Sequence, residues 1–186
     1  IADSESSLAK VSELISENEI IATCYGNIET GPRALGHRSL ICNAHNTQLI
    51  KKLSTEIKKR NLFRPTAPVI LREHAENYFH LEKSLMNCYL HMASIATPKE
   101  EFSSNIKGVI HADNSSRVQI CDENQLLGKI LMNLKKYNIY LIANTSFNIS
   151  SDPMVYDKED AFLATERMNI KYLLTETGLF VKKWDL

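Results

Sequence analysis

The stretch from Asn124 to Asn148 most constrains how this chain can fold. Leu126, Leu127, Ile130, Leu131 and Leu134 recur along one face of a helix over Asn124–Tyr137, and Ile139–Ala143 follows as an unbroken apolar run. Such a run suits a strand at the centre of a sheet, with apolar neighbours on both faces. It ends abruptly in amide and hydroxyl side chains, Asn144-Thr145-Ser146-Phe147-Asn148, which predicts a polar turn directly after the strand.

The same alternation runs through the rest of the chain. Leu8, Val11, Leu14 and Ile15 predict a helix over residues 4–17, followed by a short strand over 19–25 that Gly26 ends. Leu49, Ile50, Leu53 and Ile57 predict a helix over 46–60. Pro65 and Pro68 force extended geometry on Phe63–Pro68, which leads into a strand over 69–71. A short helix is expected over 73–79, strands over 87–94 and 117–121, a helix over 158–168, and closing strands over 170–174 and 179–183. Pro98–Asn105 is the expected flexible loop. Helices and strands in alternation predict an α/β fold, one domain with a twisted mixed sheet flanked by helices.

Composition fits this reading. A chain of 186 residues, 44% hydrophobic and 24% charged, forms one globular domain burying about two thirds of its unfolded surface. Its 22 basic and 22 acidic residues cancel, which argues against a general binder of nucleic acid or membrane surfaces. No apolar run approaches the roughly 20 residues of a transmembrane helix, and the first residues lack a basic leader, so a cytoplasmic location is expected. Cys24, Cys42, Cys88 and Cys121 form no paired motif and read as reduced structural thiols; the six histidines form no metal-binding pattern, and no metal ligands are assigned. A chain that opens on Ile1 reads as a piece of a longer protein.

The charge is unevenly placed. Between Gly31 and Arg72 nine basic residues face one acid, Glu56, giving +8 and leaving −8 for the remainder. Lys51, Lys52 and Lys59 fit a solvated helix face, and a lysine at a helix end can also complement the helix dipole. Arg33, Arg38, Arg60 and Arg64 lie among Gly, Pro, Leu and Phe, where a guanidinium more often grips an anion. Gly31 and Gly36 would let a backbone approach such an anion closely. The Asn144–Asn148 segment is either a plain Asx/Ser turn or a set of donors for phosphate and ribose, and Ser115-Ser116-Arg117 repeats the pairing of hydroxyls with arginine. Three such elements together point to a polyanionic small molecule, a nucleoside triphosphate or an acyl phosphate. Neither a GxSxG elbow nor a Walker loop is present, so catalysis would rest on positioning and charge stabilisation.

The motifs Gly31-Pro32-Arg33-Ala34-Leu35-Gly36-His37-Arg38-Ser39, Phe63-Arg64-Pro65-Thr66-Ala67-Pro68 and Asn144-Thr145-Ser146-Phe147-Asn148 resemble the C-terminal domain of the O-carbamoyltransferases. The resemblance covers residues 26–186, with 1–25 resembling the lead-in from a preceding domain. It implies a YrdC/Sua5-like fold that uses ATP, with Mg2+, and carbamoyl phosphate to form a carbamoyl adenylate. An N-terminal Kae1-like domain, carrying the family's iron, would pass the carbamoyl group to a hydroxyl acceptor. Carried over by motif, Lys58, Arg33 and Arg117 are the implied catalytic residues, and Arg38, Arg60, Arg64, Asn144, Ser146 and Asn148 the implied nucleotide-binding ones. His37, Asn61, Thr66, Asn114 and Ser151-Asp152 depart from the family pattern.

Two other functions fit the same residues. One is a YrdC-like enzyme making threonylcarbamoyl adenylate for tRNA modification; the other is a module binding nucleotide or RNA without catalysis.

Overall fold

The computed structural model describes residues 4–29, 31, 33–61, 66–82, 94–149 and 152–183. Among these residues nine strands form one sheet: β1 (Ile21–Cys24), β2 (Arg38–Asn43), β3 (Ala67–Leu71), β4 (Phe79–His80), β5 (Ser94–Pro98), β6 (Ser116–Cys121), β7 (Leu141–Ser146), β8 (Tyr172–Thr175) and β9 (Gly178–Val181). Their order across the sheet is β4-β5-β6-β3-β7-β2-β1-β8-β9. The pairs β1–β8 and β3–β6 are parallel and the others antiparallel, so the sheet is mixed, as the alternation of elements predicts. The helices are α1 (Ser4–Ser16), α2 (Thr47–Lys52), α3 (Arg72–Tyr78), α4 (Glu100–Ser103), α5 (Leu126–Leu134) and α6 (Lys158–Arg167).

Strand alternation divides the core into two layers. Ala22, Leu40, Cys42, Ile70, Val118, Ile120, Leu141, Ala143 and Leu173 face one way, packing with Ile50 and Leu53 below α2 and with Ala161 of α6. Ile21, Ile41, Val69, Leu71, Ile142 and Leu174 face the other, under Val11, Leu14 and Ile15 of α1 and Leu127, Ile130 and Leu131 of α5. The apolar run at 139–143 thus has helices on both sides. Within residues 4–25, β1 is an inner strand of the sheet, between β2 and β8.

Several expected elements differ in extent, and each has a local cause. The strand expected over 87–94 lies outside the described residues except Ser94, where β5 begins. Residues 98–105 are ordered into α4 and a 3-10 turn, because Phe102 stacks on Tyr78 with ring centroids 4.2 Å apart and Lys99 N–H donates to the Tyr78 carbonyl at 2.8 Å. β7 continues three residues past Ala143. Asn144 pairs with both Ile41 and Ala67, and Ser146 with Ser39, so the strand's polar end is ladder rather than turn. Cys24, Cys42 and Cys121 are buried free thiols, and burial pushes those of Cys42 and Cys121 up to about 12. Among the described residues no helix is long and apolar enough to cross a membrane.

Candidate functional site

The end of β7 gathers the polar residues that the sequence singles out. It lies beside the start of β3, and β6 on the far side of β3 begins at the same edge. Here a small cleft of about 100 Å³ is lined by Arg33, Ala34, Arg60, Thr66, Ala67, Arg117, Gln119, Asn144, Thr145 and Ser146. Three of the arginines expected to bind anions therefore meet there, delivered by three segments far apart in sequence.

Arg60 owes its place to an irregular turn. The helix expected over 46–60 begins at an Asn46 cap, whose side chain accepts from Leu49 N–H at 3.0 Å, but keeps α-helical form only to Lys52. It then widens into a π-helical turn over Leu53–Ile57, closed by Lys58 N–H donating to the Leu53 carbonyl at 2.9 Å. Lys59 next takes a left-handed backbone, φ 51°. In a regular helix residues two apart point away from each other. The reversal at Lys59 brings the side chains of Lys58 and Arg60 to the same strand end. Arg60 donates to Thr145 Oγ1 at 2.9 Å and to Ser146 Oγ at 3.3 Å.

Lys58 lies behind the cleft rather than in its lining, and is only 1% exposed. Its Nζ lies within hydrogen-bond distance of the Ser146 carbonyl at 2.5 Å, Asn148 Oδ1 at 2.6 Å, Ser146 Oγ at 3.2 Å and the Asn148 carbonyl, four acceptors that share its hydrogens. Ser146 Oγ donates in turn to Asn148 Oδ1 at 2.7 Å, so the hydroxyl links the buried amine to the arginine that faces the cleft. Burial, reinforced by the neighbouring Arg60 charge, lowers the Lys58 pKa from 10.5 to about 6.

Asn144 is 3% exposed and braces the opposite wall. Its amide nitrogen donates to the Ala34 carbonyl and to Gln119 Oε1, both at 2.8 Å, and Gln119 Nε2 donates to the same Ala34 carbonyl at 2.9 Å. Asn144 Oδ1 and Thr66 Oγ1 are buried at the cleft with no protein partner, two polar atoms suited to a ligand or its water. The loop carrying Arg33 turns at Gly36, whose φ of 107° suits glycine and where a Cβ would come within 2.7 Å of Leu127.

Arg38, expected with the anion-binding group, does something else. It is 5% exposed, and its guanidinium donates to the carbonyls of Tyr25, Gly26, His37 and Tyr156 at 2.9–3.3 Å. A planar fork with its donors on backbone oxygens clamps loops together instead of meeting a phosphate. Arg64 lies outside the described residues. Thr66, Gln119 and Thr145 are polar lining residues that the sequence reading does not assign to the site; a glutamine between Val118 and Ile120 in an apolar strand is the signal that marks Gln119. Asn114 stands where the resembling family has Gly, and holds the left-handed backbone, φ 62°, that asparagine tolerates best after glycine.

Near neutral pH the cleft presents three guanidinium groups and, among the described residues, amide groups but no carboxylate. It can hold a compact anion and stabilise negative charge developing on it. Comparison with known proteins places this arrangement. Residues 12–182 match the family model described as carbamoyltransferase C-terminus. The chain belongs to that family. This carbamoyltransferase C-terminal domain is 33% identical over 174 residues, 92% of its length, to the uncharacterized protein MJ1058 of Methanocaldococcus jannaschii, and covers 28% of it. It is 30% identical to the nodulation protein NolNO of Sinorhizobium fredii over 187 residues, covering 95% of this chain and 27% of that one. The domain thus spans roughly a quarter to a third of the curated relatives it matches.

Among solved structures, full-length HypF in a phosphate- and nucleotide-bound form matches with a TM-score of 0.67 and 20% identity, over 86% of the domain and 23% of that chain. YciO of E. coli matches at 0.65 and 10% identity, over 97% and 82%. Sua5 of P. abyssi complexed with L-threonine matches at 0.58 and 17% identity, over 83% and 42%. These likenesses establish the YrdC/Sua5-like fold.

Proposed function

We propose that the domain binds ATP and carbamoyl phosphate and forms a carbamoyl adenylate, which a separate Kae1-like domain of the same protein uses to carbamoylate a hydroxyl acceptor. The observation that carries this reading is the convergence of Arg33, Arg60 and Arg117 on one cleft whose wall, Ser146, is wired to the buried Lys58. Membership of the carbamoyltransferase family supplies the group to be transferred. A cleft of about 100 Å³ suits phosphoryl and carbamoyl groups, not a base. The nucleobase fits the neighbouring cleft of about 290 Å³, where Asn148 meets Pro153, Met154, Val155, Leu163 and Arg167.

The chemistry asked of these residues is electrostatic. Water first cleaves carbamoyl phosphate to carbamate and inorganic phosphate; a carbamate oxygen then attacks the α-phosphorus of ATP, the bond to the bridging oxygen breaks, and pyrophosphate leaves with the electron pair. Arg60 and Lys58 neutralise the phosphate charge that grows on the leaving group, while Arg33 and Arg117 orient the carbamoyl end. Among the described residues no group of three or more His, Cys, Asp or Glu could hold a metal. Magnesium would come with the triphosphate and would supply further charge neutralisation there. No step calls for a side-chain nucleophile.

Calorimetry of the domain with a non-hydrolysable ATP analogue, with and without carbamoyl phosphate, tests the reading. One saturable site per chain is expected for the analogue, weakened roughly tenfold or more in Arg60→Ala through loss of charge-assisted hydrogen bonds. No heat with either ligand overturns it.

A further inference from the structure

The loop that delivers Arg33 is gripped from two sides, and only one grip belongs to the cleft. On the cleft side, Gln119 and Asn144 hold the Ala34 carbonyl. On the far side, the Glu29 carboxylate bridges two backbone groups: one oxygen accepts from Leu35 N–H and the other from Arg38 N–H at 2.6 Å. Converging backbone N–H groups make a concavity that receives anions. Here the anion is a side chain of the protein. The segment leading to Glu29 is itself fixed, because Arg38 donates to the carbonyls of Tyr25 and Gly26. Thr23 Oγ1 adds a bond to the Gly36 carbonyl at 2.7 Å, and Gly36 N–H donates to Ser39 Oγ at 3.0 Å.

We propose that Glu29 is the positioning residue for Arg33: its carboxylate fixes the Leu35–Arg38 backbone and so aims Arg33 into the cleft. Glu29 lines neither the cleft nor the neighbouring nucleobase site, and acts only through the loop. The inference rests on the reading of the cleft as the ATP and carbamoyl phosphate site. Its chemistry is specific to a carboxylate, since both backbone partners are donors and both side-chain oxygens must accept. Glutamine has the same shape but turns an NH2 group toward one of those N–H donors. Glu29→Gln should therefore disrupt the loop as much as Glu29→Ala does. Glu29→Asp keeps two acceptors on a shorter arm and should rescue in part.

The test has two arms. In the first, backbone amide hydrogen exchange is followed in the unliganded domain. Leu35 and Arg38 are expected to be protected, and Glu29→Gln to speed exchange at these two amides by roughly tenfold or more, leaving the core of β7 unchanged. Rapid exchange of both amides in the parent protein, or unchanged exchange in Glu29→Gln, overturns the clamp. In the second arm, carbamoyl phosphate binding is measured by calorimetry in the parent, Glu29→Gln, Arg33→Ala and the double variant, with thermal unfolding recorded for each. Glu29→Gln is expected to weaken binding by about the factor that Arg33→Ala does, roughly tenfold, and the double variant no more than Arg33→Ala alone. Multiplying losses in the double variant would show that Glu29 does not act through Arg33 and would overturn the assignment. If the parent binds neither ATP analogue nor carbamoyl phosphate, the reading of the site has failed, and the exchange arm alone decides whether Glu29 holds the loop.

Discussion

Lys58 is buried with its amine held at the end of β7, and its titration has a definite sign. An unfolded chain holds the proton of this lysine up to about 10.5, whereas the folded domain releases it near 6. Between those values the unfolded state binds more protons, so this lysine makes stability rise as pH climbs from about 6 to about 10.5, with no contribution to the slope outside that window. The urea midpoint of the parent protein should rise from pH 7 to pH 10 relative to that of Lys58→Met, which has no titrating group there; parallel curves for the two would refute the assignment. An arriving phosphate adds negative charge beside the amine and favours its protonated form, so binding at pH 7.5 should take up a proton. At this scale the sequence was legible in kind and less so in direction. Motif resemblance names Lys58, Arg60 and Ser146, and they do meet. It also names Arg38, but an arginine carries the same five donors whether they face a ligand or the protein's own carbonyls. Only the path of the chain from Tyr25 to Gly26 and at Tyr156 decides that, and periodicity does not encode it.

Elements were legible where a pattern repeats and obscure where one residue changes the geometry. The helical faces of α1 and α5 and the apolar run of β7 follow directly from spacing. The end of α2 does not, since Leu53 and Ile57 keep helical spacing through a turn that is no longer α-helical. Lys59 then bends the chain at φ 51°, a conformation that costs an ordinary residue roughly 1–2 kcal/mol and glycine almost nothing. Lys59→Gly should thus keep or raise thermal stability and preserve affinity for the ATP analogue. Lys59→Val, with a β-branched side chain at the same left-handed position, should lower both; equal melting temperatures for the two variants would show that the turn bears no such strain. The polar residues Asn144–Ser146 predict a turn by local propensity. The segment is a ladder because β2 and β3 flank it on both edges, and this pairing across about a hundred residues outweighs local propensity.

For the whole molecule, zero net charge and a +8 segment resolve into separate uses. Lys51, Lys52 and Lys59 are exposed, Arg72 pairs with Asp122 at 2.9 Å, and Arg38 is a clamp. Among the described residues of that segment, Arg33 and Arg60 reach the cleft lining, where Arg117 joins them from the acidic remainder. A field confined to so few groups suits one compact anion better than a long backbone of phosphates. Raising salt from 50 to 200 mM should weaken binding of the ATP analogue by far less than the thousandfold or greater loss expected of a protein with about six backbone phosphate contacts. A homopolymeric RNA should fail to compete for the site; competition at equal phosphate concentration would favour the RNA-binding alternative.

The central place of β7 also bears on how the domain comes into being. Its two edges hold β2, which follows the Arg33 loop, and β3, which precedes β6 and its Arg117. Those partners are synthesised long before β7, yet they do not pair with one another, so a nascent chain that stops short of residue 141 lacks the strip that joins them. Anion binding should therefore switch on once β7 joins β2 and β3, before α6, β8 and β9 complete the sheet, which makes the cleft a built-in reporter of that joining.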